Sequence, residues 1–159
     1  MNTDLRSAGT ITRITFAAPD ARILIVDDVK MNLTVEKKLL EETQIRIDTA
    51  QSGREALELT EKNRYDIILM DHLMPEMDGI ECLKLIRSQA GGMCTDIPAL
   101  VLSANVERNN TELYTEAGFA GQLVKPISGR TLVEAILQHL PPEKIVEKPK
   151  ESAESISEE

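Results

Sequence analysis

Asp27 and Asp28 close one apolar run, Ile23-Leu24-Ile25-Val26, and Asp71 closes another, Ile67-Ile68-Leu69-Met70. Such runs read as parallel strands buried on both faces. In an open α/β sheet the ligand site lies beyond the carboxyl ends of the strands. The two strand ends therefore bring three carboxylates to one place. Three acids together repel unless a cation sits among them, and hard oxygen ligands suit Mg²⁺. Two more strand ends add to the same rim. Ile97-Pro98-Ala99-Leu100-Val101-Leu102 runs into Ser103-Ala104, and a later apolar stretch runs into Val124-Lys125-Pro126.

Three acids, a hydroxyl, a small residue and an ammonium group suit phosphoryl transfer to a carboxylate. Asp71 is the expected nucleophile, forming an acyl phosphate. Asp27 and Asp28 are the expected Mg²⁺ ligands, one of them through water. The cation and Lys125 would neutralise the equatorial phosphoryl oxygens, since positioning and electrostatics carry most of this catalysis. Ser103 would donate a hydrogen bond to the phosphoryl group. Ala104, lacking bulk, would let its backbone N–H approach the same group.

Alternating strands and helices must position these residues. The pattern predicts strands at 22–27, 45–49, 66–70, 98–102 and 121–124. It predicts helices at about 31–42, 53–62, 79–88, 106–117 and 129–139. Leu33, Glu36, Lys37 and Leu40 carry the 3.6-residue period of the first helix. Ser52 or Gly53 starts the second; Asp78 and Ser128 suit the N-caps of the third and fifth. Gly118 suits the C′ position of the fourth. Five βα units imply an α/β fold: a five-stranded parallel sheet in the flavodoxin-like order 2-1-3-4-5, with helices on both faces.

Composition sets the outer bounds. The 159 residues suit one domain, and 42% hydrophobic residues with only 3% aromatics imply an aliphatic core. A net charge of −9 argues against direct nucleic-acid binding. No apolar stretch approaches the roughly 18 residues of a membrane span, and no signal-peptide pattern is visible. A cytoplasmic chain without membrane contact, monomeric or weakly dimeric, is the expectation. Cys82 and Cys94 lack metal-type spacing and read as a buried thiol and a loop thiol. Residues 1–20 read as a flexible lead-in, 21–140 as the folded unit, and 141–159 as a disordered acidic tail. On that reading, residues 20–141 alone should fold.

Taken in order, Asp27-Asp28, Asp71 with Met74-Pro75-Glu76-Met77-Asp78-Gly79, Ser103-Ala104 and Lys125-Pro126 resemble the receiver domain of two-component response regulators. The resemblance covers about residues 21–140. It implies phosphotransfer from a histidine kinase or histidine phosphotransfer protein onto Asp71. It also implies Mg²⁺ held by Asp28, Asp71 and the backbone carbonyl of Leu73, with Asp27 assisting. It further implies that phosphorylation pulls Ser103 inward and reshapes the face made by the fourth helix, fifth strand and fifth helix. The lead-in Ala18-Pro19-Asp20-Ala21-Arg22 and the run Val26–Leu33 look like receivers attached to hybrid sensor histidine kinases, so the chain reads as stand-alone or excised. Such a domain is no independent enzyme, although it catalyses its own phosphorylation and dephosphorylation.

One position departs from that pattern. Many receivers carry Tyr or Phe three residues before the lysine as a rotamer switch; here the residue is Gln122. His72 follows the nucleophile, but alternation turns it away from Asp71, so it is expected to shape the rim. His139 fits the favourable end of a helix dipole. A haloacid-dehalogenase-type phosphatase also uses an Asp nucleophile with Mg²⁺. It needs an Asp-x-Asp pair, however, which Asp27-Asp28 does not supply. A receiver-like scaffold without chemistry is disfavoured by Asp71, Ser103 and Lys125 occurring together.

Overall fold

The computed structural model describes residues 16–104 and 108–147, with side chains in the second stretch from 111 onward. A short strand, β1 (Phe16–Ala17), precedes the five strands of the main sheet. These are β2 (Arg22–Val26), β3 (Arg46–Ala50), β4 (Ile67–Asp71), β5 (Ala99–Ser103) and β6 (Gly121–Val124). All pair in parallel, in the order β3-β2-β4-β5-β6. Counted from β2, that is the expected 2-1-3-4-5. Helices α1 (Lys30–Leu39), α2 (Gly53–Lys62), α3 (Gly79–Arg87), α4 (Arg108–Ala117) and α5 (Gly129–His139) alternate with the strands.

Strand side chains alternate between faces, and this sorts the core into two layers. Leu24, Val26, Ile68, Met70, Ala99 and Val101 pack with Ala56, Cys82, Leu83, Ile86, Tyr114 and Phe119 beneath α2, α3 and α4. Ile23, Ile25, Ile67, Leu69, Leu100 and Leu102 pack with Leu33, Leu40, Leu132 and Ile136 beneath α1 and α5.

The helix ends follow local chemistry. The Ser52, Asp78 and Ser128 side chains accept from the backbone N–H of Glu55, Glu81 and Thr131, satisfying donors that a helix start leaves open. Glu55 closes a capping box by accepting from the N–H of Gln51 at 2.9 Å. Gly118 ends α4 at φ +103°, where a Cβ would be strained. Near the end of α5, His139 Nδ1 lies 2.9 Å from the Ala135 carbonyl oxygen.

The packed unit runs further than composition predicts. Phe16, Ala17 and Ala18 are buried, and β1 pairs antiparallel with β7 (Val146–Glu147). Between α5 and β7, Lys144 places its ammonium 3.0 Å from both carboxylate oxygens of Asp66. Asp66 also accepts from the backbone N–H of Arg22 at 2.9 Å. The expected boundaries at 21 and 140 therefore fall inside the described fold. One Phe and a few small residues suffice to cover the open end of the α1–α5 layer, and a composition window dilutes them. The remainder of the expected lead-in (1–15) and tail (148–159) lies outside the described residues. Cys94 sits in a loop as expected and is buried there, its thiol 3.2 Å from the Asn63 carbonyl oxygen.

Glu36 occupies the inner stripe of α1 between Leu33 and Leu40. Only 6% of it is exposed, and its Oε1 has no hydrogen-bond partner among the described residues. Burial, then the charge of Asp27, pushes its carboxyl up to about 7. Between about 4.5 and about 7 the folded chain therefore holds a proton that the unfolded chain has released, so stability falls as pH rises through that window.

Two outcomes follow from this packing. Glu36→Leu should raise stability above pH 7 by about 1–3 kcal/mol, the cost of an unsatisfied buried polar group, and should flatten the decline between pH 5 and 7 in urea titrations. A decline unchanged in the variant would place its origin elsewhere. Trimming the chain to residues 20–141 should lower stability by about 2–3 kcal/mol through loss of Phe16 burial and of Lys144. An unaltered urea midpoint would show that the β1–β7 pair contributes nothing.

Candidate functional site

The rim residues are held by extensions of the sheet ladder. The N–H of Asp27 donates to the Ala50 carbonyl, that of His72 to Leu102, and that of Lys125 to Ser103, at 2.8–3.1 Å. Backbone pairing thus fixes where each side chain emerges. Asp27, Asp71 and Lys125 each lie an even number of residues beyond a side chain of the α1–α5 layer (Ile25, Leu69, Leu123). They turn the same way and meet.

Lys125 binds Asp71 Oδ1 at 2.8 Å and Asp27 Oδ2 at 3.3 Å. Asp27 is fully buried. It also accepts from the backbone N–H of Val29 at 2.9 Å and from the Asn32 amide at 3.1 Å. Asp28 is half-buried beside it. Burial raises the Asp71 carboxyl above its ordinary range; the Lys125 hydrogen bond opposes this, and the charges of Asp27 and Asp28 add to it. Burial alone would lower Lys125. Its hydrogen bond to Asp71 and the charges of Asp71 and Asp27 overcome that and hold it above its ordinary value. Lys125 is followed by a cis peptide bond to Pro126.

Two acids share Lys125 and the third adds another negative charge, so the cluster retains excess negative charge. Each of Asp27, Asp28 and Asp71 offers an oxygen within 4.8 Å of the other two. Opposite vertices of an octahedron with metal–oxygen distances of about 2.1 Å lie about 4.2 Å apart. The residues therefore offer the oxygen donors that a small, hard divalent cation prefers, close enough to gather around one ion.

The loop after Asp71 is shaped by close backbone contacts. The N–H of Gly79 donates to the His72 carbonyl at 2.8 Å. A Cβ on Gly79 would stand 2.3 Å from the Asp71 carbonyl oxygen. Glycine is thus required for this loop to fold back against Asp71. Met74 is buried, whereas Leu73 is 73% exposed on the rim.

Ser103 and Ala104 occupy the end of β5 as expected: Ser103 is buried and Ala104 exposed. The expected start of the fourth helix at 106 falls among residues 105–107, which are not described. Gln122 is half-buried, and Thr111 on α4 donates to its amide oxygen at 3.3 Å.

His72 does turn away from Asp71, but it turns inward. Its Nδ1 stands 2.7 Å from the hydroxyl of Tyr114, which in turn donates to Ser103 Oγ at 3.0 Å. Reading of the sequence missed Tyr114. Its helical spacing marks it only as a core residue, and no strand-end logic reaches a helix side chain. The available signal was that α4 carries a tyrosine, one of only two in the chain, on the face that must cover β5.

Residues 23–137 match the response regulator receiver domain, and the chain belongs to that family. A probable histidine kinase of Oryza sativa subsp. indica is 32% identical over 152 residues, covering 77% of this chain. The aerobic respiration control sensor protein ArcB of Escherichia coli K12 is 33% identical over 119 residues, covering 74%. The chain spans only 16% and 15% of the length of those two relatives. Among solved structures, the chemotaxis protein CheY4 of Vibrio cholerae superposes with a TM-score of 0.70 at 32% identity, over 76% of this chain and 98% of that one. The receiver domain of a sensor histidine kinase from Pseudomonas aeruginosa PAO1, which has a magnesium ion coordinated in its active-site cleft, gives 0.67 at 31% identity, over 75% and 96%. The chain is thus a two-component receiver domain with the CheY-like, flavodoxin-type fold. No helix among the described residues is long and apolar enough to cross a membrane.

Proposed function

We propose that Asp71 accepts a phosphoryl group from a phosphohistidine on a histidine kinase or histidine phosphotransfer protein. The carrying observation is the Asp27–Asp71–Lys125 constellation, in which a buried-strand carboxylate touches an ammonium group beside two further acids. An Asp71 oxygen attacks phosphorus, the P–N bond to the donor imidazole breaks, and an acyl phosphate forms. Lys125 already holds Asp71 Oδ1 and is placed to follow the charge that develops on the phosphoryl oxygens. Ser103, with the Ala104 backbone N–H, would donate hydrogen bonds to those oxygens. Asp28, Asp71 and the Leu73 carbonyl would hold Mg²⁺, with Asp27 fixed behind them by Val29 and Asn32. When bound, the cation would supply positive charge against the phosphoryl oxygens and relieve repulsion among the acids.

The domain would also catalyse loss of its own phosphoryl group by admitting water to the acyl phosphate. Similarity to a histidine kinase and to a sensor protein supports a cytoplasmic setting, whether the domain stands alone or lies within such a chain. The acidic surface disfavours direct nucleic-acid contact, and a monomer or weak dimer suits a module that visits successive partners.

Acetyl phosphate with Mg²⁺ should add one phosphoryl mass to the chain, labile to hydroxylamine, and Asp71→Asn should not acquire it. Label persisting in that variant would overturn the assignment, and steady release of phosphate from diverse esters would mark a phosphatase instead. Mg²⁺ at a hundredfold excess over its dissociation constant should stabilise the fold by about 2.7 kcal/mol. Asp28→Ala should abolish that rise in melting temperature, and no Mg²⁺ response in the parent chain would count against the metal site.

A further inference from the structure

Tyr114 is 2% exposed, yet its hydroxyl is fully engaged inside the fold. It donates to Ser103 Oγ at 3.0 Å and lies 2.7 Å from His72 Nδ1. A phenol has one proton. With that proton on Ser103, the His72 ring must donate to the phenol oxygen. The result is a directed chain from His72 through Tyr114 to Ser103. Its two ends flank Asp71 in different ways: His72 directly follows Asp71, the last residue of β4, and Ser103 ends the neighbouring strand.

Strand alternation explains the meeting. Ser103 shares the face of Ala99 and Val101, and His72 the face of Ile68 and Met70, both in the layer under α4. The ring is fixed laterally as well, edge-on to His72 at 5.1 Å and to Phe119 at 6.0 Å between centroids. One helical turn earlier on α4, Thr111 donates to Gln122 of β6. Thus, among the described residues, two hydrogen-bonding side chains on one face of α4 fasten it to the end of the sheet, and one of them holds the Ser103 hydroxyl.

We propose that Tyr114 is the positioning residue through which Ser103 passes the state of Asp71 to α4. This rests on the phosphoacceptor reading of Asp71. A phosphoryl group there gives the Ser103 hydroxyl a charged acceptor. Hydrogen bonds to charged groups are stronger than those between neutral groups. Ser103 therefore turns toward the phosphoryl oxygens, its bond with Tyr114 is broken, and the phenol is left to His72 alone. Because Tyr114 belongs to α4, the helix registers that loss. A polar latch on the helix then does the work that Gln122 on β6, held by Thr111, does not do.

The chain has two tyrosines, Tyr65 and Tyr114, and no tryptophan. Tyr65 bonds Asp48 at 2.6 Å, away from the rim cluster, and serves as an internal reference. Uniform 3-fluorotyrosine labelling should give two ¹⁹F resonances, assigned with Tyr65→Phe. Beryllofluoride with Mg²⁺ should move the Tyr114 resonance and leave that of Tyr65 in place. In unlabelled Tyr114→Phe, which keeps the ring and removes the hydroxyl, the amides of 71–73 should still respond to beryllofluoride. The amide shifts of 111–117 seen in the parent should be lost. An unmoved Tyr114 resonance with responsive 71–73 amides would overturn the inference and leave the phosphoacceptor reading intact. Helix shifts in Tyr114→Phe equal to those of the parent would do the same. No response anywhere in the parent would overturn the phosphoacceptor reading and this inference together.

Discussion

Crowding of carboxylates at the end of a buried sheet is the constraint on which the rest of the structure depends. Asp27 is fully buried and Asp71 is 7% exposed, and a buried acid needs partners to stay charged. Lys125 reaches both, while Val29 and Asn32 supply further donors to Asp27. Lys125 comes from the β6–α5 connection, whereas Val29 and Asn32 come from the start of α1. The site therefore assembles only when β2, β4 and β6 lie in their observed order, with β5 keeping β6 in register.

The two faces of the sheet divide the labour. On the α1–α5 side, Asp27, Asp71 and Lys125 meet, and Glu36 reaches the same electrostatic field from within α1. Once it loses its proton, above about pH 7, that acid adds repulsion to a cluster already short of positive charge. On the opposite side, Ser103 and His72 turn toward Tyr114. Ser103 thus belongs by its backbone to the strand ends that build the site and by its side chain to the layer under α4. Gly79 serves both sides: without a side chain it lets the loop after β4 close against the Asp71 carbonyl.

The opposite end of the sheet carries a different use of charge. Asp66 is gripped by Lys144 and by the N–H of Arg22, and β1 pairs with β7 beside it. The entry and exit of the described chain are therefore brought together away from the acidic rim. A domain with adjoining ends can sit within a longer chain without imposing distance on its neighbours, which accords with its matching only 16% and 15% of the length of two of its relatives.

Much of this was legible in the sequence, because strand-end rules act locally. Apolar runs ending in Asp27-Asp28, Asp71, Ser103 and Lys125 define the strands, and parallel pairing then forces their ends to one rim. The caps at Ser52, Asp78 and Ser128 and the turn at Gly118 were equally visible, since each satisfies backbone groups within a few residues. The contacts that escaped depend on which helix covers which strand. Period alone marks Glu36 as inward without saying that Asp27 and Asp71 share its field, and marks Tyr114 as core without naming Ser103 and His72. Phe16 and Lys144 looked like parts of polar ends, because composition averages over windows while burial is decided residue by residue. The sequence by itself determined the elements, their order and the chemistry of the rim through local periodicity and backbone satisfaction. Only the tertiary structure decided which buried polar groups became partners, because those distances arise from packing helices on a twisted sheet.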